Sequence, residues 1–208
     1  MLNEEEEESV KLILIGDAGV GKSSIISRYL NNEFDENKVS SVGGSFCTKT
    51  IKIGDKQVEL GIWDTAGQEI YRSVAKYFYK NAKLVCLVCD ITNKDSFINL
   101  KDYWYLDFQE NGEKSSIFAV VCNKSDLIEK EEINEAQARE FAKEINAIFV
   151  LTSAQNGTGI DDLFKSLAEK YLSPEHEPIV NEIKKERSLS FNLKNQKNDG
   201  CCKKKKCC

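Results

Sequence analysis

Residues 16–23, Gly16-Asp17-Ala18-Gly19-Val20-Gly21-Lys22-Ser23, fit the phosphate-loop pattern GxxxxGK[ST]. The glycines let backbone N–H groups along Ala18–Gly21 turn inward around phosphate oxygens. Lys22 adds a point charge, the following helix N-terminus a favourable dipole, and the Ser23 hydroxyl a ligand for Mg²⁺. Ser24 continues the first turn of that helix. A chance glycine-rich turn is the plain alternative. It would not require a strand before the motif and a helix after it, and both are expected here.

Three more clusters could act on the same ligand. Trp63-Asp64-Thr65-Ala66-Gly67-Gln68-Glu69 follows a strand pattern. Asp64 could hold Mg²⁺ through water, Gly67 could bring a backbone N–H to a γ-phosphate, and Gln68 could orient an attacking water. Asn123-Lys124-Ser125-Asp126 ends a later strand pattern, and Thr152-Ser153-Ala154 the next. A carboxylate accepts two N–H bonds from guanine, from the ring nitrogen and the exocyclic amine. Adenine offers neither in that geometry, so Asp126 is the expected guanine discriminator. The Ala154 backbone N–H is the expected donor to the guanine carbonyl. Singly, each cluster also reads as an ordinary polar turn.

The elements that must place these clusters are legible as short apolar runs. VKLILI (10–15), AKLVCLVCD (82–90), SIFAVVCN (116–123) and residues 147–152 read as buried strands. Residues 45–53 and 57–63 read as two strands joined by a hairpin at Gly54-Asp55. Helical patterns cover residues 22–30, 95–110 and 134–145, the last opening with the capping-box spacing Asn134 to Gln137. Ile160, Leu163, Phe164, Leu167, Ala168 and Tyr171 form one helical stripe. Alternating strands and helices imply an α/β fold, a mostly parallel six-stranded sheet with helices on both faces. Such a sheet binds its ligand at the carboxyl ends of its strands, where all four clusters lie.

Composition bounds the remainder. The 208 residues include 41% apolar and 30% charged residues and two prolines, ordinary for one globular domain with an appendage. The longest apolar runs span six residues, Leu84–Cys89 and Ile117–Cys122, against about 20 for a membrane-spanning helix. The acidic start, with Glu4–Glu8, is unlike a secretion signal. It reads as a disordered tail over residues 1–9. Four cysteines (Cys47, Cys86, Cys89, Cys122) lie in apolar segments and four in the last eight residues, which is no disulfide framework and suits a reducing cytosol. Cys86 and Cys89 form a CxxC, but on one strand they face opposite sides. His176 is the sole histidine and lies in a proline-flanked loop. Net charge is −5, yet residues 181–208 carry nine Lys or Arg against three Asp or Glu. The acidic body argues against nucleic acid as a partner, and the basic end argues for an anionic membrane surface.

GDAGVGKS, WDTAGQE, NKSD and TSA, in this order and spacing, resemble a Ras-type small GTPase over about residues 9–172. Ser41–Phe46, WDTAGQE-Ile70-Tyr71 and Tyr77–Ala82 resemble the switch signatures of Rab GTPases, with a weak cue toward the endocytic branch. The resemblance implies a Ras-like domain over residues 10–172 that binds GTP with Mg²⁺ and hydrolyses it slowly, as a monomeric switch in vesicular trafficking. Phe34 would then stack edge-on to the base. Ser41 would ligate Mg²⁺ with Ser23 and Asp64. Phe46, Trp63 and Phe78 would be the aromatic triad that effectors read, although core packing is their plainer role. The implied partners are an exchange factor, a GTPase-activating protein, a prenyl-binding escort and effectors. Two positions depart from the family. Ser41 stands where Thr is usual and keeps the hydroxyl. Gln155 stands where Lys is usual and covers the base with less stem and no charge, so a somewhat weaker grip on nucleotide is expected. Ala18 is small and leaves room for Gln68. A Ras-type signalling GTPase, a non-hydrolysing nucleotide-dependent module and a P-loop ATPase or kinase are the other readings; NKSD argues against the last.

Residues 173–200 read as a flexible linker and 201–208, Cys-Cys-Lys-Lys-Lys-Lys-Cys-Cys, as a basic tail. A C-a-a-X box needs Cys where Lys205 stands. The terminal Cys207-Cys208 resembles the double geranylgeranylation signal of Rabs. With Lys203–Lys206 it would supply two signals for stable anchoring. The implied location is the cytoplasmic face of an endosomal or other vesicle membrane, with a cytosolic pool. Cys201 and Cys202 read as palmitoylated or spare. Four-cysteine zinc binding is the rival, and adjacent pairs close a tetrahedron poorly.

Overall fold

The computed structural model describes residues 9–35, 45–65 and 72–174. Ser41, Gly67, Gln68, His176, residues 175–200 of the linker and the Cys201–Cys208 tail lie outside the described residues. Two compact units are distinguished, Met1–Glu169 and Lys170–Cys208; of the second, only residues 170–174 are described.

The first unit is built on a six-stranded sheet of order β2-β3-β1-β4-β5-β6. The strands are β1 (Val10–Ile15), β2 (Ser45–Ile53), β3 (Lys56–Asp64), β4 (Leu84–Asp90), β5 (Ile117–Asn123) and β6 (Ile148–Leu151). Only the β2–β3 pair is antiparallel, a hairpin closed by Ile53 opposite Lys56 with Gly54 at φ 59°. The other four pairings are parallel. β1 has β3 on one side and β4 on the other, so strand order reverses at its carboxyl end. Residues 16–23 leave the sheet there, at the crevice where doubly wound folds take ligands.

Every residue of β4 and β5 is buried, as strands covered on both faces require. Their alternation splits two layers. Ile13, Ile15, Leu87, Cys89, Val120 and Cys122 point into one core with Tyr79, Phe97, Leu100, Trp104, Phe108 and Phe141. These come from α2 (Arg72–Tyr79), α3 (Lys94–Asn99), a π-helical segment (Leu100–Tyr105), α4 (Leu106–Asn111) and α5 (Glu135–Glu144). Leu12, Leu14, Cys86 and Val88 have the opposite parity and are also fully buried. The helices that do not join the first core are α1 (Lys22–Asn31) and α6 (Ile160–Leu172), whose Tyr29 and Phe164 rings stack at 3.6 Å, 9° from parallel.

Cys86 and Cys89 are both buried, and Cys89 lies in the first core, 3.5 Å from Cys122 Sγ. The helix expected over residues 95–110 is present, but its middle six residues are wound as π-helix. The apolar stripe Phe97, Leu100, Trp104, Phe108 fits an α-helical period and carries no sign of this. Asn134 caps α5 as expected, although its side chain accepts from Ala136 N at 2.8 Å; Gln137 N goes to the Asn134 carbonyl.

Phe164 is fully buried and stacked. Phe164→Ala should cost about 3–5 kcal/mol of stability, read as a lower urea midpoint at unchanged slope. A loss below about 1 kcal/mol would contradict the packing described.

Candidate functional site

The loop between β1 and α1 is shaped by two glycines. Gly16 has φ +148°, and a Cβ there would stand 2.1 Å from the Val88 carbonyl oxygen. The close approach sets the loop tightly against the end of β4. Gly21 has φ +99°, and its Cβ would stand 2.3 Å from Asn123 Nδ2. Gly21 also caps α1 without any side-chain hydrogen bond, and no acidic residue lies in the first turn. The positive end of the α1 dipole therefore meets the loop with no acidic side chain to offset it, which suits an anion.

Lys22 is 5% exposed. Its ammonium donates to the carbonyls of Gly16 at 2.9 Å and Asp17 at 2.8 Å. Burial lowers its pKa to about 8, against the opposing pull of Asp64 and Asp17. An ammonium desolvated this far gains most from an anionic oxygen. Next to it, Ser23 Oγ donates to Asp64 Oδ2 at 2.5 Å, joining the start of α1 to the end of β3. Thr65 Oγ1 pins that end to β1 through the Leu14 carbonyl at 2.5 Å. Ala18 and Gly19 are exposed, Val20 is buried, Ser24 is half-buried, and Phe34 stands 37% exposed beyond α1.

The second half of the site sits at the ends of β5 and β6, and Asn123 connects the halves. Its Nδ2 donates to the Val20 carbonyl at 2.9 Å. Its Oδ1 accepts from Thr152 Oγ1 at 3.1 Å and from Ala154 N at 3.3 Å. The Ala154 N–H expected to serve guanine is thus held in place by a long bond to Asn123. Asp126 accepts from Ser153 Oγ, so its carboxylate is oriented from the neighbouring loop. Lys124 has φ +65°, and its ammonium meets Asp90 Oδ2 at 2.5 Å. Asp90 in turn accepts from Thr92 N and Oγ1 at 2.9 and 2.8 Å through Oδ1.

Two contributors were not expected from sequence. Asp90 ends β4, so the strand-end rule that found the other clusters could have included it. Arg28 gave no local signal. From α1 it donates to the carbonyls of Ala154 at 2.7 Å, Gln155 at 2.5 Å and Asn32 at 2.7 Å. It fixes the 153–155 loop through backbone, so the position of Gln155 does not depend on its exposed side chain.

The aromatic triad is assembled. Phe46 and Trp63 lie opposite each other on β2 and β3, with ring centroids 4.8 Å apart, and Phe78 of α2 lies 5.7 Å from Trp63. Phe46 is 52% exposed, and Lys11 Nζ sits 5.1 Å over the Trp63 ring.

A phosphate loop at the switch point of a parallel sheet, with a carboxylate-bearing base loop bonded to it, defines a nucleoside-phosphate-binding α/β domain. The Ras family model matches residues 11–173. Ras-related protein Rab-22A of Canis lupus familiaris is 38% identical over 169 residues, 81% of this chain and 87% of that protein. Ras-related protein Rab-31 of Homo sapiens is 40% identical over 161 residues, 77% and 82% of the two chains. Ras-related protein Rab5A of Oryza sativa subsp. japonica is 37% identical over 164 residues, 79% and 80%. The chain belongs to the Ras family, and it is a Rab-type small GTPase that binds guanine nucleotide, hydrolyses GTP to GDP and regulates vesicle trafficking.

Gly21→Ala would set a methyl against the Asn123 amide in a backbone conformation that already favours glycine. Strain of about 1–3 kcal/mol is expected to weaken GDP binding roughly ten- to hundredfold, measured by displacement of a fluorescent analogue. Unchanged affinity would mean that Asn123 can move freely.

Proposed function

We propose that this GTPase is a membrane-anchored switch at endosomal or other vesicle membranes, with the following division of labour. Asp126 reads the guanine edge, and Ala154 N–H its carbonyl. Lys124, Phe34 and Gln155 border the base. Lys22 and the loop amides of residues 18–21 hold the β- and γ-phosphates. Gln68 orients the attacking water, and Gly67 and Ser41 follow the γ-phosphate, so that hydrolysis releases their segments. The observation that carries this reading is the Asn123 side chain, bonded at once to the phosphate loop and to the 152–154 segment.

Ser23 Oγ and the Asp64 carboxylate, 2.5 Å apart, are hard oxygen donors of the kind Mg²⁺ takes, and with Ser41 they would hold it. Bound there, the ion would neutralise charge on the β- and γ-phosphates. Arg28 and Arg139 are the arginines whose side chains are described, and both are engaged, Arg28 by backbone carbonyls and Arg139 by Glu135. An arginine supplied by an activating protein would accelerate hydrolysis about 10³–10⁵-fold. The half-exposed stack of Phe46, Trp63 and Phe78 follows or precedes both switch segments in sequence and is suited to effectors that distinguish the two nucleotide states. An exchange factor and a prenyl-binding escort complete the cycle. Prenyl groups on Cys207 and Cys208, beside Lys203–Lys206, provide the anchor.

Wild type should prefer GTP over ATP by at least about 10³-fold, since a site built around paired donors rejects a ligand lacking them. Asp126→Asn should lose GTP and gain xanthosine triphosphate, whose 2-oxo group suits an amide donor. Equal competition by ATP in wild type would remove Asp126 from its role. Replacing Cys207 and Cys208 together with Ser should leave GTP binding unchanged and move the protein to the soluble fraction of eukaryotic cells. A double variant that still sediments with membranes would overturn the anchor.

A further inference from the structure

Asp17 is the one acidic side chain in the phosphate loop. A carboxylate beside a polyphosphate is unfavourable unless something holds it away. Here two neutral donors engage it. Trp104 Nε1 donates to Asp17 Oδ1 at 2.8 Å, and Asn99 Nδ2 donates to Asp17 Oδ2 at 2.7 Å. The Asp17 carbonyl accepts from Lys22, so residue 17 is gripped at both ends.

Asn99 and Trp104 are five residues apart. In an α-helix such residues point about 140° away from each other. The chain between them includes the π-helical segment Leu100–Tyr105, whose wider i→i+5 turn brings residues five apart toward the same side. Trp104 is 1% exposed within the core of Phe97, Leu100 and Phe108, so its indole N–H is aimed by packing. The unusual winding and the bidentate grip on Asp17 therefore explain each other.

We propose that Asn99 and Trp104 are positioning residues for phosphate binding, and that the π turn exists to align them on Asp17. The pair holds the carboxylate off the β- and γ-phosphates and fixes the entry of the phosphate loop against α3. Movement of α3 is thereby coupled to nucleotide affinity. The inference rests on the nucleotide-binding reading of residues 16–23 and adds a control on it.

The test is a double-mutant cycle on the full-length protein, with equilibrium affinities for GDP and GMP read by displacement of a fluorescent guanine nucleotide. Trp104→Phe keeps an aromatic ring in the core and removes the N–H. It should weaken GDP about tenfold and GMP less than twofold, because GMP carries no β-phosphate for a released carboxylate to repel. In an Asp17→Ala background the same substitution should change GDP affinity less than twofold. Asn99→Ala, which leaves the indole in place, should give the same pattern at smaller size and serves if Trp104→Phe folds poorly. Equal losses for GDP and GMP, or an undiminished loss in the Asp17→Ala background, would reduce the pair to simple packing residues and overturn the proposal. Wild type failing to bind GDP would overturn the nucleotide reading and the clamp together, whereas binding with additive losses would overturn the clamp alone.

Discussion

The site depends on one amide. Asn123 is 1% exposed, and its side chain serves two segments that the sequence holds far apart. Nδ2 reaches the phosphate loop at Val20, and Oδ1 receives Thr152 and Ala154 from the loop after β6. A buried amide of this kind is costly if any partner is missing. It therefore constrains the geometry of both loops: the phosphate loop must approach closely enough that residue 21 has no side chain, and the β6 loop must present the Ala154 N–H toward β5. The loops after β1 and β6 are parts of one hydrogen-bonded assembly.

Around that amide, charged side chains brace the loops more than they display charge. Arg28 spends its guanidinium on the carbonyls of Ala154, Gln155 and Asn32. Asp90 holds the Lys124 ammonium. Asp17 is engaged by α3 and its π-helical continuation. The Lys22 ammonium is turned onto loop carbonyls and is desolvated enough for its pKa to fall to about 8. The loops are thus held before a ligand enters, which lowers the ordering cost of binding.

The sheet, its six strands and the hairpin were legible because each is a contiguous pattern: short apolar runs ending at glycine or a polar cluster. The phosphate loop and the NKSD and TSA clusters were legible for the same reason, each being a local string at a strand end. The bonds that join them were not. Asn123 and Val20 are 103 positions apart, and Arg28 and Ala154 are 126 apart. No local pattern reports such partners. The π turn was hidden because the residues facing the core keep an α-like spacing while Asn99, off that stripe, carries the mismatch. Asn134 shows the intermediate case, a cap whose residue was predictable and whose hydrogen-bond partner was not.

Asn123 couples the two halves of the site, and Asn123→Ala tests that coupling. On one preparation, shown by circular dichroism to be folded, the affinities for GDP, GMP and ADP yield two ratios. GDP over GMP reports the phosphate loop, and GDP over ADP reports the base loop. If one amide holds both loops, both ratios should fall at least about tenfold together, the loss expected when a buried network loses a shared partner. A fall in one ratio with the other intact would contradict the account and make Asn123 a local feature of a single loop.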